Sequence, residues 1–169
     1  TGSTCAERTT VLPTADCGGG PLPTPSPTPV GTGGTVEMDK LRVYLRAGID
    51  DPAQGRIQAS AVLPEIPGFD PVGAAGTVSV RYGDGQQWSM DLPSSCGDFP
   101  CVIALDGGAG FRARYAPAGP GLSIVRREGG GWKLFFWTHE AAIAGLSEGA
   151  VSLTISIGDT TLQGTAAGN

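Results

Sequence analysis

Hydrophobic and polar residues alternate along most of the chain beyond residue 40, with the two-residue period of a β-strand that buries one face. In 41–46, for example, Leu, Val and Leu alternate with Arg, Tyr and Arg. Helical signals are weak, because the one candidate turn, 140–146, contains Gly145 and is followed by Gly149. The alternation predicts an all-β protein with strands at 41–46, 57–63, 77–82, 86–92, 101–105, 111–115, 122–127, 131–138, 150–157 and 160–166.

Part of this pattern occurs twice. The segment 77–84 aligns with 152–159 at an offset of 75 residues, and both segments end in Gly-Asp. The offset of 75 also aligns the strand before each segment, 55–61 with 130–136, and it sets Trp88 on Gln163 in the strand after it. The first strands, 41–43 and 122–124, align at an offset of 81. Such self-similarity predicts two copies of one structural unit.

Each copy reads as strand, turn, strand, long connection, strand, Gly-Asp turn and strand, at about 41–92 and about 111–167. A four-stranded sheet cannot cover its own apolar face, so we expect each unit to contribute one apolar face to a common core. The predicted fold is a single β-sandwich or flattened barrel built from two similar four-strand units, with an insert at about 93–115. Val80 and Ile155 are then expected at equivalent core positions.

Composition divides the chain into three parts. Residues 1–20 form a Cys-bounded N-terminal arm, and residues 21–34 form a Pro/Thr/Gly-rich linker with Pro at every second position from 21 to 29. Alternating Pro favours an extended polyproline II spacer and excludes a central strand. Residues 35–169 form the β-sandwich domain that contains the repeat.

The charge and hydrophobicity of the chain argue against nucleic acid as a partner and against a membrane-spanning segment. Charged residues make up only 16% of the chain, and the net charge is -5. No basic footprint for nucleic acid is present, and no apolar run approaches the roughly 20 residues that span a membrane. A surface of Thr, Ser, Gly and Gln is common in extracellular β proteins.

The four cysteines fall in two close pairs, Cys5 with Cys17 and Cys96 with Cys101. Four cysteines permit three connectivities, and the local pairing is favoured because short loops close at low entropic cost. A four-thiolate zinc site is the alternative, although separations of 12 and 5 residues differ from the tight spacing of such sites. Disulfides imply an oxidising compartment, which predicts a secreted or surface-displayed protein.

Candidates for catalysis are few. The single histidine, His139, has no G-x-S-x-G nucleophile elbow to serve, and it is expected in a solvated loop. Asp84, Asp106 and Asp159 neighbour glycines, where Asp serves turn geometry, and no EF-hand calcium loop is present. We therefore expect no catalytic residues, no metal and no cofactor, and interpret the chain as a protein that is not an enzyme.

The segment 131–137, GWKLFFW, is the most aromatic part of the chain. In a strand with one buried face, Phe135 and Trp137 would be exposed together, and such a pair can stack on a sugar ring or anchor a partner subunit. The alternative is a central strand that is buried on both sides. Four arginines near the middle of the chain predict either a positive patch for self-association or a simple solvated face. They are Arg112, Arg114, Arg126 and Arg127.

The strand ends 80–84 (VRYGD) and 155–159 (ISIGD) resemble those of poorly characterised repeat β-domains in secreted bacterial proteins. The resemblance covers about residues 40–165. It implies an exported, β-rich bacterial protein and carries no activity and no site residues.

These features predict an extracellular structural protein, such as the self-assembling subunit of a bacterial surface filament or fimbria. Its N-terminal arm would link copies into a homopolymer, with residues 9–12 adding a strand to the exposed sheet edge of a neighbour. The contact residues in the arm would be Thr9, Thr10, Val11 and Leu12. The alternative function is a carbohydrate-binding or surface-binding adhesion module on a Pro/Thr stalk, with a polysaccharide as its partner.

Overall fold

The structure of the protein is a computed structural model that describes residues 33–48, 50–83, 85–114, 120–143 and 149–167. The N-terminal arm, most of the linker, the Cys5–Cys17 pair and the contact residues 9–12 lie outside the described residues. The described residues form thirteen strands, and their bounds are β1 Thr35–Glu37, β2 Asp39–Arg46, β3 Gly55–Leu63, β4 Gly76–Tyr82, β5 Gln86–Leu92, β6 Ser95–Cys96, β7 Phe99–Pro100, β8 Val102–Leu105, β9 Gly110–Arg114, β10 Gly121–Arg126, β11 Trp132–Ala141, β12 Val151–Ile157 and β13 Thr160–Ala166.

The strands form two open sheets and one small hairpin. Sheet A has the order β1-β13-β12-β4-β5, and sheet B has the order β2-β3-β11-β10-β9-β8. Strands β6 and β7 pair only with each other. The predicted all-β sandwich is confirmed, and its two sheets share one hydrophobic core.

The two four-strand units are β2–β5 and β10–β13, and each is divided between the sheets. The first unit places β2 and β3 in sheet B and β4 and β5 in sheet A, and the second unit does the same with its own four strands. The expectation that each unit contributes one apolar face is therefore wrong. The long connection in each unit carries the chain from one sheet to the other, so each apolar face is completed by strands of both units.

The central strand pairs relate the two units. In sheet A, Ser79 lies opposite Thr154, and in sheet B, Ser60 lies opposite Phe135. Both pairs are antiparallel and join residues that are 75 positions apart, so equivalent positions of the two units face each other. This pairing is what a two-fold axis through the middle of both sheets produces.

The last strands of the units follow a different offset. Two residues connect Ile157 to its partner Thr160, whereas three connect Tyr82 to Gln86. Trp88 consequently corresponds to Leu162 and not to Gln163, because Trp88 pairs with Val80 and Leu162 pairs with Ile155. The extra residue in the first turn is Gly85, so the constant offset of 75 does not extend beyond the turn.

The core follows the alternation in the sequence. Val80 and Ile155 are both fully buried, at 0% exposure, in the two central strands of sheet A. Phe136 of sheet B is 1% exposed, and its ring centroid lies 6.2 Å from that of Trp88 in sheet A. This aromatic contact joins the two sheets across the core.

The segments outside the two units make the edges of the sandwich unequal. Strand β1 runs parallel to β13 at one edge of sheet A, and the chain then passes through Met38 into β2 of sheet B. Strands β8 and β9 extend sheet B beyond β10. Among the described strands none pairs with the outer edges of β2, β5 and β8.

The Cys96–Cys101 disulfide closes the β6–β7 hairpin, with a Cα–Cα distance of 4.9 Å. This local pairing was predicted from the spacing. Cys101 is buried, whereas Phe99 at the tip is 74% exposed. The hairpin therefore presents an aromatic side chain well away from the core.

Candidate functional site on the outer face of sheet B

The central strand of sheet B has one buried and one exposed face. Trp132, Leu134 and Phe136 are buried in the core, as the alternation predicts. Phe135 is 37% exposed, and Trp137 is half-buried on the same outer side. The alternative of a strand buried on both sides does not describe this strand.

Trp137 is held against the neighbouring strand by a glycine. Gly121 lies directly opposite Trp137, and a Cβ atom on Gly121 would overlap Cζ2, Cε2 and Cη2 of the indole. The overlap falls on Cζ2 and on both of its ring neighbours, which requires the ring to lie nearly flat over the Gly121 backbone. A glycine is needed here because any side chain would displace the indole.

The Trp137 ring belongs to a row of outward-facing residues that crosses the sheet. Cross-strand partners on one face have Cβ atoms about 5 Å apart, so the members of the row are direct neighbours on the sheet surface. Tyr44 at the open edge is 50% exposed, and the exposed Gln58 lies between the two aromatic residues. By backbone register the row runs through Tyr44, Gln58, Trp137, Gly121 and Arg114.

A second row runs beside the first and contains Phe135. Its members are Arg42, Ser60, Phe135, Ser123, Arg112 and Ile103. The ammonium nitrogen of Lys133 lies 4.7 Å from the centroid of the Phe135 ring. This is the geometry of a cation–π contact, which holds the Phe135 ring in position.

An open depression of about 780 Å³ follows these strands and reaches Ala166 and Ala167 at the end of β13. Its volume lies within the range of small-molecule sites. The residues of the outer face that line it combine aromatic surface with amide, hydroxyl and guanidinium groups. They are Arg42, Tyr44, Gln58, Ser60, Phe135 and Trp137, which we call the aromatic face.

The proposed patch of four central arginines is divided. Arg112 is exposed in the row of Phe135 on the outer face of sheet B. Arg126 lies at the end of β10, where its guanidinium donates hydrogen bonds of 2.9 and 3.1 Å to the carboxylate of Glu65 and lies 4.3 Å from the Trp132 ring. Arg126 is therefore engaged with the core side of the sheet and does not join Arg112 in a common patch.

The other candidate groups do not assemble into a second site. His139 is exposed within β11 and not in a loop, because this strand continues through a register shift to Ala141. Among the described residues, no three His, Cys, Asp or Glu side chains come close enough to share a metal ion. Asp106 lies in the 3-10 turn Asp106–Gly108 and Asp159 lies in the turn between β12 and β13, whereas Asp84 is outside the described residues.

Sequence reasoning found Phe135 and Trp137 but missed the residues that complete their surface. Tyr44 and Arg42 were visible as the polar side of the 41–46 alternation, which was the available signal. Gln58 and Gly121 lie beside Trp137 only because of the strand order and register, and the alternation in the sequence does not report either.

In the part of the chain that the structure describes, no helix has the length and apolar character needed to cross a bilayer. The chain matches no protein-family model, no curated protein and no solved structure.

Proposed function

We propose that this protein is a carbohydrate-binding module that holds a polysaccharide on the aromatic face. The observation that carries the proposal is the Trp137 indole, which lies flat over Gly121 and is half-buried. A ring in this position offers one face to the solvent, where the apolar face of a sugar ring can stack on it.

The groups around Trp137 supply the polar half of sugar recognition. Gln58 carries both a donor and an acceptor beside the ring, and Tyr44 adds a second aromatic surface with a hydroxyl group. Pockets that bind small ligands combine apolar walls with a few placed polar groups, and this surface has that composition. Because the side chains stand on paired strands, little ordering is needed on binding.

Affinity electrophoresis through gels that contain soluble polysaccharides tests this function. We expect at least one polysaccharide to retard the protein, and Tyr44→Ala to weaken the retardation by about tenfold, since an aromatic contact is worth about 1 kcal/mol beyond its buried area. Phe99→Ala is the matched control, because Phe99 is also exposed but lies on the β6–β7 hairpin. Equal losses from both variants, or no retardation by any polysaccharide, would count against the proposal.

We also propose self-assembly through strand addition as a second function, because the two units end in unequal edges. The outer edge of β13 carries β1, with Val36 opposite Leu162 and packed against the core. The equivalent edge of β5, where Trp88 corresponds to Leu162, carries no partner among the described strands. An unpaired edge is a template for another extended segment.

The sequence of the arm supplies a segment for that edge. Residues 10–11 are Thr-Val, as are residues 35–36 in β1. In this proposal residues 9–12 of one copy pair with β5 of the next, which generates an open polymer. Val11→Pro should abolish polymers seen by electron microscopy, because Pro cannot donate to the ladder, whereas Val30→Pro in the linker should not. Polymers that persist in Val11→Pro would refute strand addition by this segment.

A further inference from the structure

The aromatic face has a charge that is opposite to that of the whole chain. The net charge is -5. Yet the rows through Phe135 and Trp137 contain the exposed Arg42 and Arg112 and no carboxylate. Asp39 lies at the far end of the next row, opposite Val62. On the other side, Glu140 is exposed and lies with His139 opposite Arg56 in the register shift of β11. The two rows that carry the aromatic rings are therefore cationic, with a carboxylate in the row beyond each.

The cations of this face are not neutralised by the described residues. The one ion pair between described residues is Arg126–Glu65, which does not belong to the face. Arg46 and Arg56 lie directly opposite each other on β2 and β3, and both are exposed. Like charges at directly opposite positions destabilise a sheet. Glu140 lies opposite Arg56 on the other side of β3, so the cations of the two aromatic rows, Arg42 and Arg112, are the ones left for an anionic ligand.

We propose that the ligand of the aromatic face is an anionic polysaccharide whose sugar rings bear carboxylate or sulfate groups. This inference rests on the proposed carbohydrate-binding function and names the class of sugar. The aromatic rings bind the apolar faces of sugar rings, while the guanidinium groups bind the anionic substituents. Arg presents a planar fork of donors that matches carboxylate and sulfate oxygens, which suits it to this task.

The spacing of the cations suits a chain laid across the strands. Arg42 and Arg112 stand at either side of Phe135 in one row, separated by four strand spacings, or about 19 Å. A polymer along this row meets a cation before and after the aromatic ring. Nucleic acid is the less suitable polyanion, because a phosphate on every nucleotide calls for a basic domain and this chain is acidic.

Two forms of one polymer test the inference, namely polygalacturonate and its fully methyl-esterified form, which share a backbone and differ in charge. We expect the protein to bind polygalacturonate about tenfold more tightly in about 0.1 M NaCl, with the difference lost in about 1 M NaCl, where the Debye length falls to about 3 Å. The double variant Arg42→Gln/Arg112→Gln should lose most of this preference, because its affinity for polygalacturonate falls toward its affinity for the neutral form. Arg81→Gln/Arg127→Gln, at exposed positions outside the two rows, is the control for the same change of net charge.

Each outcome separates the ligand class from the underlying function. Equal affinity for both forms, with both lost in Trp137→Ala, would overturn the anionic class and leave carbohydrate binding in place. Failure to bind either form, together with no response to any other polysaccharide, would overturn both. Tighter binding of single-stranded oligo(dT) than of polygalacturonate would overturn the inference in favour of nucleic acid. Equal loss of preference in Arg81→Gln/Arg127→Gln and in Arg42→Gln/Arg112→Gln would overturn the inference, because net charge and not the aromatic face would then be responsible.

Discussion

Replacing Phe136 with alanine is expected to lower the free energy of unfolding by about 3–5 kcal/mol, the usual cost of removing a buried aromatic side chain. Phe136 is 1% exposed on the central strand of sheet B, and its ring lies 6.2 Å from Trp88 of sheet A. The substitution removes a contact between the sheets and leaves a cavity between them. Strand β11 is paired on both sides, to β3 and β10, which limits its collapse into that space.

The adjacent residue provides the control. Phe135 has the same side chain and the same strand but points outward and is 37% exposed. Phe135→Ala should cost about 1 kcal/mol, since it forfeits only partial burial and the contact with Lys133. Denaturant titration of both variants measures the difference. Similar losses for the two substitutions would mean that the faces of β11 are assigned incorrectly.

Replacing Trp137 with alanine is expected to weaken polysaccharide binding by about 30-fold or more, because central aromatic residues of binding surfaces contribute about 2 kcal/mol or more. Trp137→Phe should retain part of the affinity, since a smaller ring still stacks. The free energy of unfolding of each variant, measured in parallel, separates loss of the binding surface from loss of the fold.

A substitution at Gly121 is expected to move the Trp137 indole while leaving it in the protein. Gly121→Ala should weaken binding in the same direction, because its Cβ would overlap the indole and lift it from the sheet. Gly34→Ala is the matched control, since a Cβ there meets nothing within 4 Å. Full affinity in Gly121→Ala would contradict the role assigned to the flat ring.

The sequence predicts the strands and their faces well, because the two-residue alternation reports directly which side chains enter the core. Predicted and observed bounds of the fourth strand, for example, differ by one residue (77–82 against Gly76–Tyr82). The short strands β1, β6 and β7 were not predicted, since two or three residues are too few to show an alternation.

The alternation of hydrophobic and polar residues does not report the order of the strands in a sheet. The alternation at Val80 and Ile155 states that both side chains are buried, but it does not state which strands pair. The assignment of one sheet to each unit failed for this reason. Likewise, Phe135 and Trp137 could be placed on one face from the chain alone, whereas Gly121 joined them only through its register with Trp137.

The central claim, that a polysaccharide binds across the outer face of sheet B, is tested most directly by mapping amide chemical-shift changes in the ¹⁵N-labelled protein. A soluble oligosaccharide of the tightest-binding polymer would be the titrant. The account predicts the largest changes in β2, β3, β10 and β11, centred on the backbone amides of Gln58 and Trp137 and on the Trp137 indole N–H. Changes centred on the outer face of sheet A or on the β6–β7 hairpin, with Trp137 unaffected, would contradict it.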